Sequence, residues 1–422
     1  MKLPYSLRTG LTCFAFAWCV SSCLDGDAQS IRFRKVQLDD KFRSEGVAVG
    51  DFNNDGKQDI AAGFVWYAAP DWDLHAITNK QPSQHAASVM IGSPPHYEPK
   101  KYSNSFCCFA EDLNRDGWLD LIVIDFPGTP TWWFENPKQP GATWKKHLLT
   151  PVTNNESPQL LDLDGDGQRE LIAAFSPDPS QPDGPDRQMA YFSRNDDPYQ
   201  PWKIHPISDK AASGTRKYSH GLGLGDVNGD GHNDIVSASG WWQAPSAAVA
   251  GPWKYHQVQF GEKETRPGTN DLGKAAHLHV YDFDGDGDSD VLASSPHAYG
   301  IWWHEQRDDG SWKAHAIEES FSQTHALNLA DINGDGLVDF VTGKRWWAHG
   351  GADPGGDEPA VFCWFELTRQ NGRPDWIRHQ FDHNSGMGTQ FEVADVNGDE
   401  LFDIVAANKK GVYYFEQVRS GK

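Results

Sequence analysis

Seven short stretches of the chain carry side-chain oxygens at one fixed spacing. They are DFNNDGKQD from Asp51, DLNRDGWLD from Asp112, DLDGDGQRE from Asp162, DVNGDGHND from Asp226, DFDGDGDSD from Asp282, DINGDGLVD from Asp331 and DVNGDELFD from Asp395. Oxygen donors at positions 1, 3 and 5, a backbone carbonyl at 7 and a carboxylate at 9 suit a hard cation such as Ca2+. The expected ligands are Asp51, Asn53, Asp55 and Asp59 in the first loop and Asp112, Asn114, Asp116 and Asp120 in the second. The third and fourth supply Asp162, Asp164, Asp166, Glu170 and Asp226, Asn228, Asp230, Asp234. The fifth and sixth supply Asp282, Asp284, Asp286, Asp290 and Asp331, Asn333, Asp335, Asp339, and the seventh Asp395, Asn397, Asp399 and Asp403. Position 6 is Gly in six loops and Glu400 in the last. The spacing begins like an EF-hand, but its last carboxylate comes at position 9 rather than 12. A solvated Asn/Asp-rich turn is the bland alternative for any one loop. Sevenfold repetition favours up to seven structural Ca2+.

A second set of groups stands just ahead of these loops. His220 and His325 lie six residues before Asp226 and Asp331, and His277 lies five before Asp282, with His279 following. Glu45 and Glu156 occupy the matching place in the first and third units, and Gln390 lies near it in the seventh. Histidines converging with carboxylates can hold Zn2+ or Mn2+, or serve as a general base. Packing or a bond to water is the competing reading for each of them.

The elements that carry these groups repeat as well. First aspartates are 61, 50, 64, 56, 49 and 64 residues apart, and short β-rich runs flank every loop. These are strands A and B. An aromatic cluster follows as strand C: Trp66-Tyr67, Trp132-Trp133, Tyr191-Phe192, Trp241-Trp242, Trp302-Trp303, Trp364-Phe365 and Tyr413-Tyr414. A Trp-x-x-His run then gives strand D, with His75, His147, His205, His256, His315 and His379. Those six histidines recur in every D strand and are expected to be structural.

There are seven loops but six D strands. The run Phe33-Arg34-Lys35-Val36 near the other end fits the empty slot. The reading is therefore all-β: a seven-bladed β-propeller of four-stranded blades over residues 31–418, its ring closed by the N-terminal strand. A linear stack would leave that strand unexplained.

Composition agrees with this economy. The 422 residues carry a formal charge of −22, which disfavours nucleic acid and anionic membranes as partners. The loops' ligand positions account for 23 of the 59 acidic residues, and seven Ca2+ would offset 14 of those 22 charges. Residues 1–28 read as an export signal, with Lys2 and Arg8 ahead of an apolar run too short to span a bilayer. Two endings compete: a lipobox at Val20-Ser21-Ser22-Cys23 with Cys23 lipidated, or a cut near Ala28. The expected location is periplasm, outer membrane, cell surface or medium, with a lipid anchor as the one link to a membrane. A monomer is expected. Cys107, Cys108 and Cys363 show no metal spacing and read as buried thiols.

The DxNxDG loops with flanking strands resemble FG-GAP/VCBS repeats, the calcium-binding propeller blades of integrin α-subunit type, over residues 31–418. Among enzymes, the "TWWFENP…TWKKH" pair and the "THALNLADINGDG" stretch are similar to the propeller domain of aldos-2-ulose dehydratase. The chain leaves no room for the cupin domains that accompany that propeller. The resemblance therefore implies at most the dehydratase half of that chemistry.

Propeller connectivity puts the A–B loops on one end and the D–A and B–C loops on the other. The long irregular segments 78–105, 176–187, 208–219, 261–276 and 348–359 are all of the second kind. Function is expected there, where ordered loops stand on a rigid scaffold. His220, His277 and His325 are the candidate catalytic or metal groups at that mouth, with Lys344 and Arg345. Tyr102, Lys217, Tyr218, Trp241, His297 and Gln390 are candidate ligand contacts. The Trp pairs read as interblade core, except Trp346-Trp347, which precedes a Gly/Asp-rich insertion. Cations, aromatics and histidines around a funnel suit a sugar. Two classes stay open: a carbon–oxygen lyase acting on a keto-sugar or uronide, and a non-catalytic carbohydrate- or protein-binding or adhesion module.

Overall fold

A computed structural model describes residues 30–79, 88–139, 141–246, 251–261 and 274–419. Residues 1–28, expected to be an export signal, and the expected lipidation site Cys23 lie outside them, as do parts of the segments 78–105 and 261–276. Seven four-stranded antiparallel sheets form the blades of a β-propeller. The innermost A strands are Ala48–Gly50, Cys107–Glu111, Gln159–Leu161, Leu222–Gly225, His279–Tyr281, Leu327–Ala330 and Phe391–Ala394. The seventh sheet takes its outer strand from the other end of the chain. Ile31–Asp39 runs antiparallel to Gly411–Arg419, with Phe33 opposite Gln417 and Val36 opposite Tyr414. The closure is also a packing event, because Val47, Ile60 and Tyr67 of blade one share a core with Val405, Val412 and Tyr414 of blade seven.

B strands are buried throughout, as in Asp339–Gly343 and Asp120–Ile124. Each is covered on both faces by neighbouring blades and so reads as a continuous apolar run. The D-strand histidines are structural, as expected. Each pairs directly across from the strand-C aromatic and stacks on it, with ring centroids 4.0 Å apart for Trp241–His256 and 4.4 Å for Trp66–His75 and Trp303–His315. Five of them also bond a polar side chain of strand C: Glu135, Ser193, Gln243, Glu305 and Glu366. Cys107, Cys108 and Cys363 are free and buried.

The acidic loops share one internal hydrogen-bond scheme. The position-1 carboxylate accepts the N–H of position 6 in every loop. Where position 3 is Asn it also accepts that of position 5, as Asp331 does from Asp335 and Gly336 at 3.0 and 2.9 Å; where position 3 is Asp, Asp164 and Asp284 accept the position-5 N–H instead. The position-9 carboxylate is buried at the root of the loop. In Asp339, one oxygen accepts the N–H of Ile332 at 3.0 Å and the other that of Leu367, on strand C, at 2.8 Å. The same double latch holds at Asp59, Asp120, Asp234, Asp290 and Asp403. The last loop keeps the scheme despite its missing glycine: Glu400 takes the left-handed conformation, φ 67°, and donates its N–H to Asp395 at 2.9 Å.

Candidate functional site: a histidine–carboxylate cluster at the channel mouth

The loops before strand A and after strand B bring their chemistry together at one end. Glu156 is the hub. Its Oε2 lies 3.3 Å from His220 Nε2, 3.5 Å from His325 Nε2 and 3.5 Å from Arg345 Nη1. Arg345 also pairs with Glu45 through Nη2. His297, from the B–C loop of blade five, places its Nε2 3.1 Å from His220 Nε2. One ligand nitrogen from each of His220, His297 and His325 falls within 4.8 Å of the others. The group is almost wholly buried, and several of its polar atoms find no protein partner: Nδ1 of His325, Nδ1 of His220, Oε1 of Glu45 and Nε of Arg345, while Nε2 of His325 has only the long 3.5 Å approach to Glu156.

Electrostatics sets the protonation. Burial opposes charge on Glu156, but His220, His325 and Arg345 outweigh it and hold the carboxyl well below its ordinary range. Burial, then the Arg345 charge, pushes His325 well down. Burial lowers His297 to about 4 even though Asp353 supports its charged form. At neutral pH these two imidazoles are neutral and keep a lone pair, the form a metal requires.

Sequence reasoning named His220, His325, Arg345 and His297 for this mouth, and they meet there with Glu45 and Glu156. Tyr102 lies beside them, with Arg345 Cζ 5.9 Å and Lys409 Nζ 4.5 Å from its ring centroid. Lys217 and Tyr218 form an outer pair, Nζ 4.7 Å from the ring centroid, and Tyr218 is 45% exposed.

Four residues differ from expectation. His277 stays out of the cluster: its Nδ1 lies 3.3 Å from Leu327 O, the carbonyl that His279 Nε2 also meets at 2.9 Å. Lys344 turns into the blade-six insertion and donates to Gly355 O and Glu358 O. Trp241 is buried in the core of blades four and five, stacked on His256, because strand C points it between blades. Gln390 spends its amide on protein, accepting from Val47 N at 2.8 Å and donating to Glu392 Oε1 at 2.9 Å.

Three mouth residues escaped sequence reasoning: His349, Asp353 and Lys409. His349 and Asp353 lie in the irregular insertion, where no periodicity gives a position. Lys409 was findable, since it follows Asp403 by six residues as Arg345 follows Asp339. Its Nζ donates to Trp347 O at 3.2 Å, and burial lowers its ammonium to about 8.

The acidic loops fit a divalent cation. All seven position-9 carboxyls are pushed up, to about 6 at Asp59, Asp234 and Asp403 and to about 7 at Asp120, Glu170, Asp290 and Asp339. Burial is the first cause, and repulsion from loop carboxylates adds to it. In the two loops with Asp at position 3, ligand oxygens of Asp162, Asp164 and Glu170, and of Asp282, Asp284 and Asp290, crowd within 4.8 Å. Such crowding of like charge is what a bound cation relieves.

Comparison with known proteins agrees with the fold. FG-GAP-like repeats match residues 112–173 and 282–342, and an FG-GAP repeat matches 45–64. No curated protein matches the chain by sequence. Among solved structures, it is similar to an Agrocybe aegerita lectin specific for non-reducing terminal N-acetylglucosamine, at 14% identity over 90% of this chain and 86% of that one, with a TM-score of 0.44. It is also similar to the rhamnogalacturonan lyase YesW, at 14% identity over 91% and 75%, TM-score 0.41. A fucose-specific lectin from Aleuria aurantia gives 10% identity over 80% and 96%, TM-score 0.37. The chain is a seven-bladed β-propeller carrying FG-GAP repeats.

Proposed function

We propose that this is an exported, calcium-stabilised propeller that binds carbohydrate at its loop-rich mouth and acts there as a metal-dependent carbon–oxygen lyase. The observation that carries the reading is the buried meeting of His220, His297 and His325, whose ligand nitrogens lie within 4.8 Å of one another. Their donor set suits one Zn2+ or Mn2+, with Glu156 as a neighbouring carboxylate. A bound ion of this kind would polarise a sugar carbonyl or carboxylate and stabilise the enolate that forms beside it. The chain's own groups would do the rest. Lys409, an amine lowered to about 8, is suited to take the proton next to the carbonyl. The C–H electrons become the new C=C bond as the β-oxygen leaves with a proton. Arg345, fully buried and paired with Glu45 and Glu156, would hold the mouth rigid.

A binding module is the second reading. The outer pair of Lys217 and the 45% exposed Tyr218 favours it, since an open aromatic face stacks on a sugar without any metal.

Elemental analysis after dialysis against calcium buffer tests the first reading. Six or seven Ca per chain with about one Zn or Mn would support it. Keto-sugars and uronides would then be screened for an unsaturated product by ultraviolet absorbance. Calcium alone, with no product, would move the assignment to the binding module.

A further inference from the structure

The blade-six insertion is built onto the mouth from outside. Lys344 anchors it from below, Tyr299 donates to Glu358 at 2.7 Å, and Gln323 donates to Pro354 O at 3.4 Å. At its start Trp347 and His349 both take left-handed backbone, φ 61° and 46°, a costly state for bulky residues. That conformation aims His349 at Asp353. The Asp353 carboxylate stands between two imidazoles: His349 Nδ1 at 2.9 Å and His297 Nδ1 at 3.2 Å.

A carboxylate only accepts. Both Nδ1 atoms must therefore carry the proton toward Asp353. For His297 this has a consequence on its far side. A neutral ring protonated at Nδ1 presents a bare lone pair at Nε2, and Nε2 faces His220 Nε2 at 3.1 Å. We infer that Asp353 is a positioning residue: it fixes the tautomer and ring plane of His297 as a metal ligand, and so couples the blade-six insertion to cation binding at the mouth. This rests on the metal reading proposed above.

A second ion between His297, His349 and Asp353 is the rival. Their ligand atoms also lie within 4.8 Å, but here hydrogen bonds already pair Asp353 with both Nδ1 atoms. In the first group, by contrast, His325 Nδ1 has no partner and its Nε2 only a long 3.5 Å approach to Glu156. One ion, with Asp353 behind its ligand, accounts for both facts.

Zinc affinity of the full chain, measured by competition with a chromophoric chelator, tests the coupling. Asp353→Asn keeps the shape and removes the charge; it is expected to weaken Zn2+ by about 10- to 100-fold. His349→Ala leaves the Asp353–His297 bond and should hold zinc affinity within about twofold, well short of the effect of losing an outer-shell carboxylate. Limited proteolysis within 348–359 gives the second readout: zinc should protect the wild-type insertion and fail to protect Asp353→Asn. Equal zinc affinity in wild type and Asp353→Asn overturns the inference while leaving the metal reading intact. Equal losses in both variants also overturn it, since the insertion would then act by packing alone. Two Zn2+ per wild-type chain would establish the rival. A wild type that takes up no zinc or manganese removes the metal reading and this inference with it.

Discussion

The Nε2 atoms of His220 and His297 face each other across 3.1 Å, from loops of neighbouring blades. Two ring nitrogens at that distance need a proton or a cation between them. Asp353 holds the proton of His297 on the other side, so the gap is filled either by a proton on His220 or by an ion. The adjacent His325, fully buried with Nδ1 unpartnered and Nε2 held only by a long 3.5 Å approach to Glu156, favours the ion. His325→Ala decides how the cluster is used. It leaves a small cavity, but it also removes a buried unpaired polar atom, Nδ1, which costs about 1–3 kcal/mol. The metal-free variant should thus lie within about 1 kcal/mol of wild type and keep its calcium. It should lose the Zn2+ or Mn2+ by elemental analysis, along with any zinc-dependent rise in Tm. Unfolding or calcium loss would instead make His325 a structural residue and sink the site.

The acidic loops separate two kinds of carboxylate. Asp339 is buried and satisfies two backbone N–H groups, one in its own loop and one on strand C, whereas Asp335 is exposed and accepts from Leu337 and Asn333. Both substitutions to alanine should cost one Ca2+ by equilibrium dialysis. In chelator they should part company: Asp339→Ala orphans two buried donors and should cost about 3 kcal/mol or more, and Asp335→Ala about 1 kcal/mol. Urea unfolding in chelator reads the difference. Equal losses would show that the latch contributes nothing beyond the ion.

Much of this was legible because repetition carries the fold. Seven loops at near-regular spacing fixed blade number, strand order and even the closing strand, since an unfilled D slot and Phe33-Arg34-Lys35-Val36 match each other. The mouth was legible only where it kept the repeat's register. His220, His325, Glu45 and Glu156 stand a fixed six residues before their loops, so their convergence follows from symmetry. His277 breaks that register by one residue, and its ring turns to the Leu327 carbonyl instead. Trp241 and Gln390 misled for a different reason: strand position says which end of a blade a side chain occupies, but not whether it points between blades. His349 and Asp353 belong to an insertion whose path depends on left-handed residues, which no hydrophobic pattern reports.

Chelated protein should show an inverted pH dependence. An acid raised on folding binds its proton more tightly in the native state, so its contribution to stability falls as pH rises from its unfolded to its folded value. The position-9 carboxyls run from a reference of 3.8 to about 6 at Asp59 and about 7 at Asp120 and Asp339. Without calcium, stability from these groups should fall between about pH 4 and 7 and level off above. Saturating calcium should reverse the slope, because the ion binds the ionised loops. Melting curves at fixed ionic strength from pH 4 to 8, with chelator or calcium, check both signs. Identical slopes in the two buffers would separate these carboxyls from calcium binding.

Ring closure gives the sharpest test of architecture. Phe33 is half buried, its ring 4.6 Å from Phe381, and it packs against the core of blades six and seven. Val36 and Leu38 pack instead against the core that blade one shares with blade seven. The strand therefore carries contacts to both of its neighbours as well as its ladder to Gly411–Arg419. Phe33→Ala should cost about 2 kcal/mol, less than the roughly 3–5 kcal/mol of a fully buried aromatic because the ring is only half buried. Removing residues 31–39 from the mature chain does more. It bares the edge of Gly411–Arg419, a row of unpaired N–H and C=O groups ready to pair with another chain. The truncated protein should melt well below wild type and self-associate in sedimentation velocity. Hydrogen exchange separates a closed ring from an open stack. In a ring, losing the closing strand loosens blades one and seven together, and amides of Asp59–Ala62 should lose protection along with those of Asp403–Asn408. In an open stack only the last sheet would respond, and unchanged protection in blade one would refute closure through this strand.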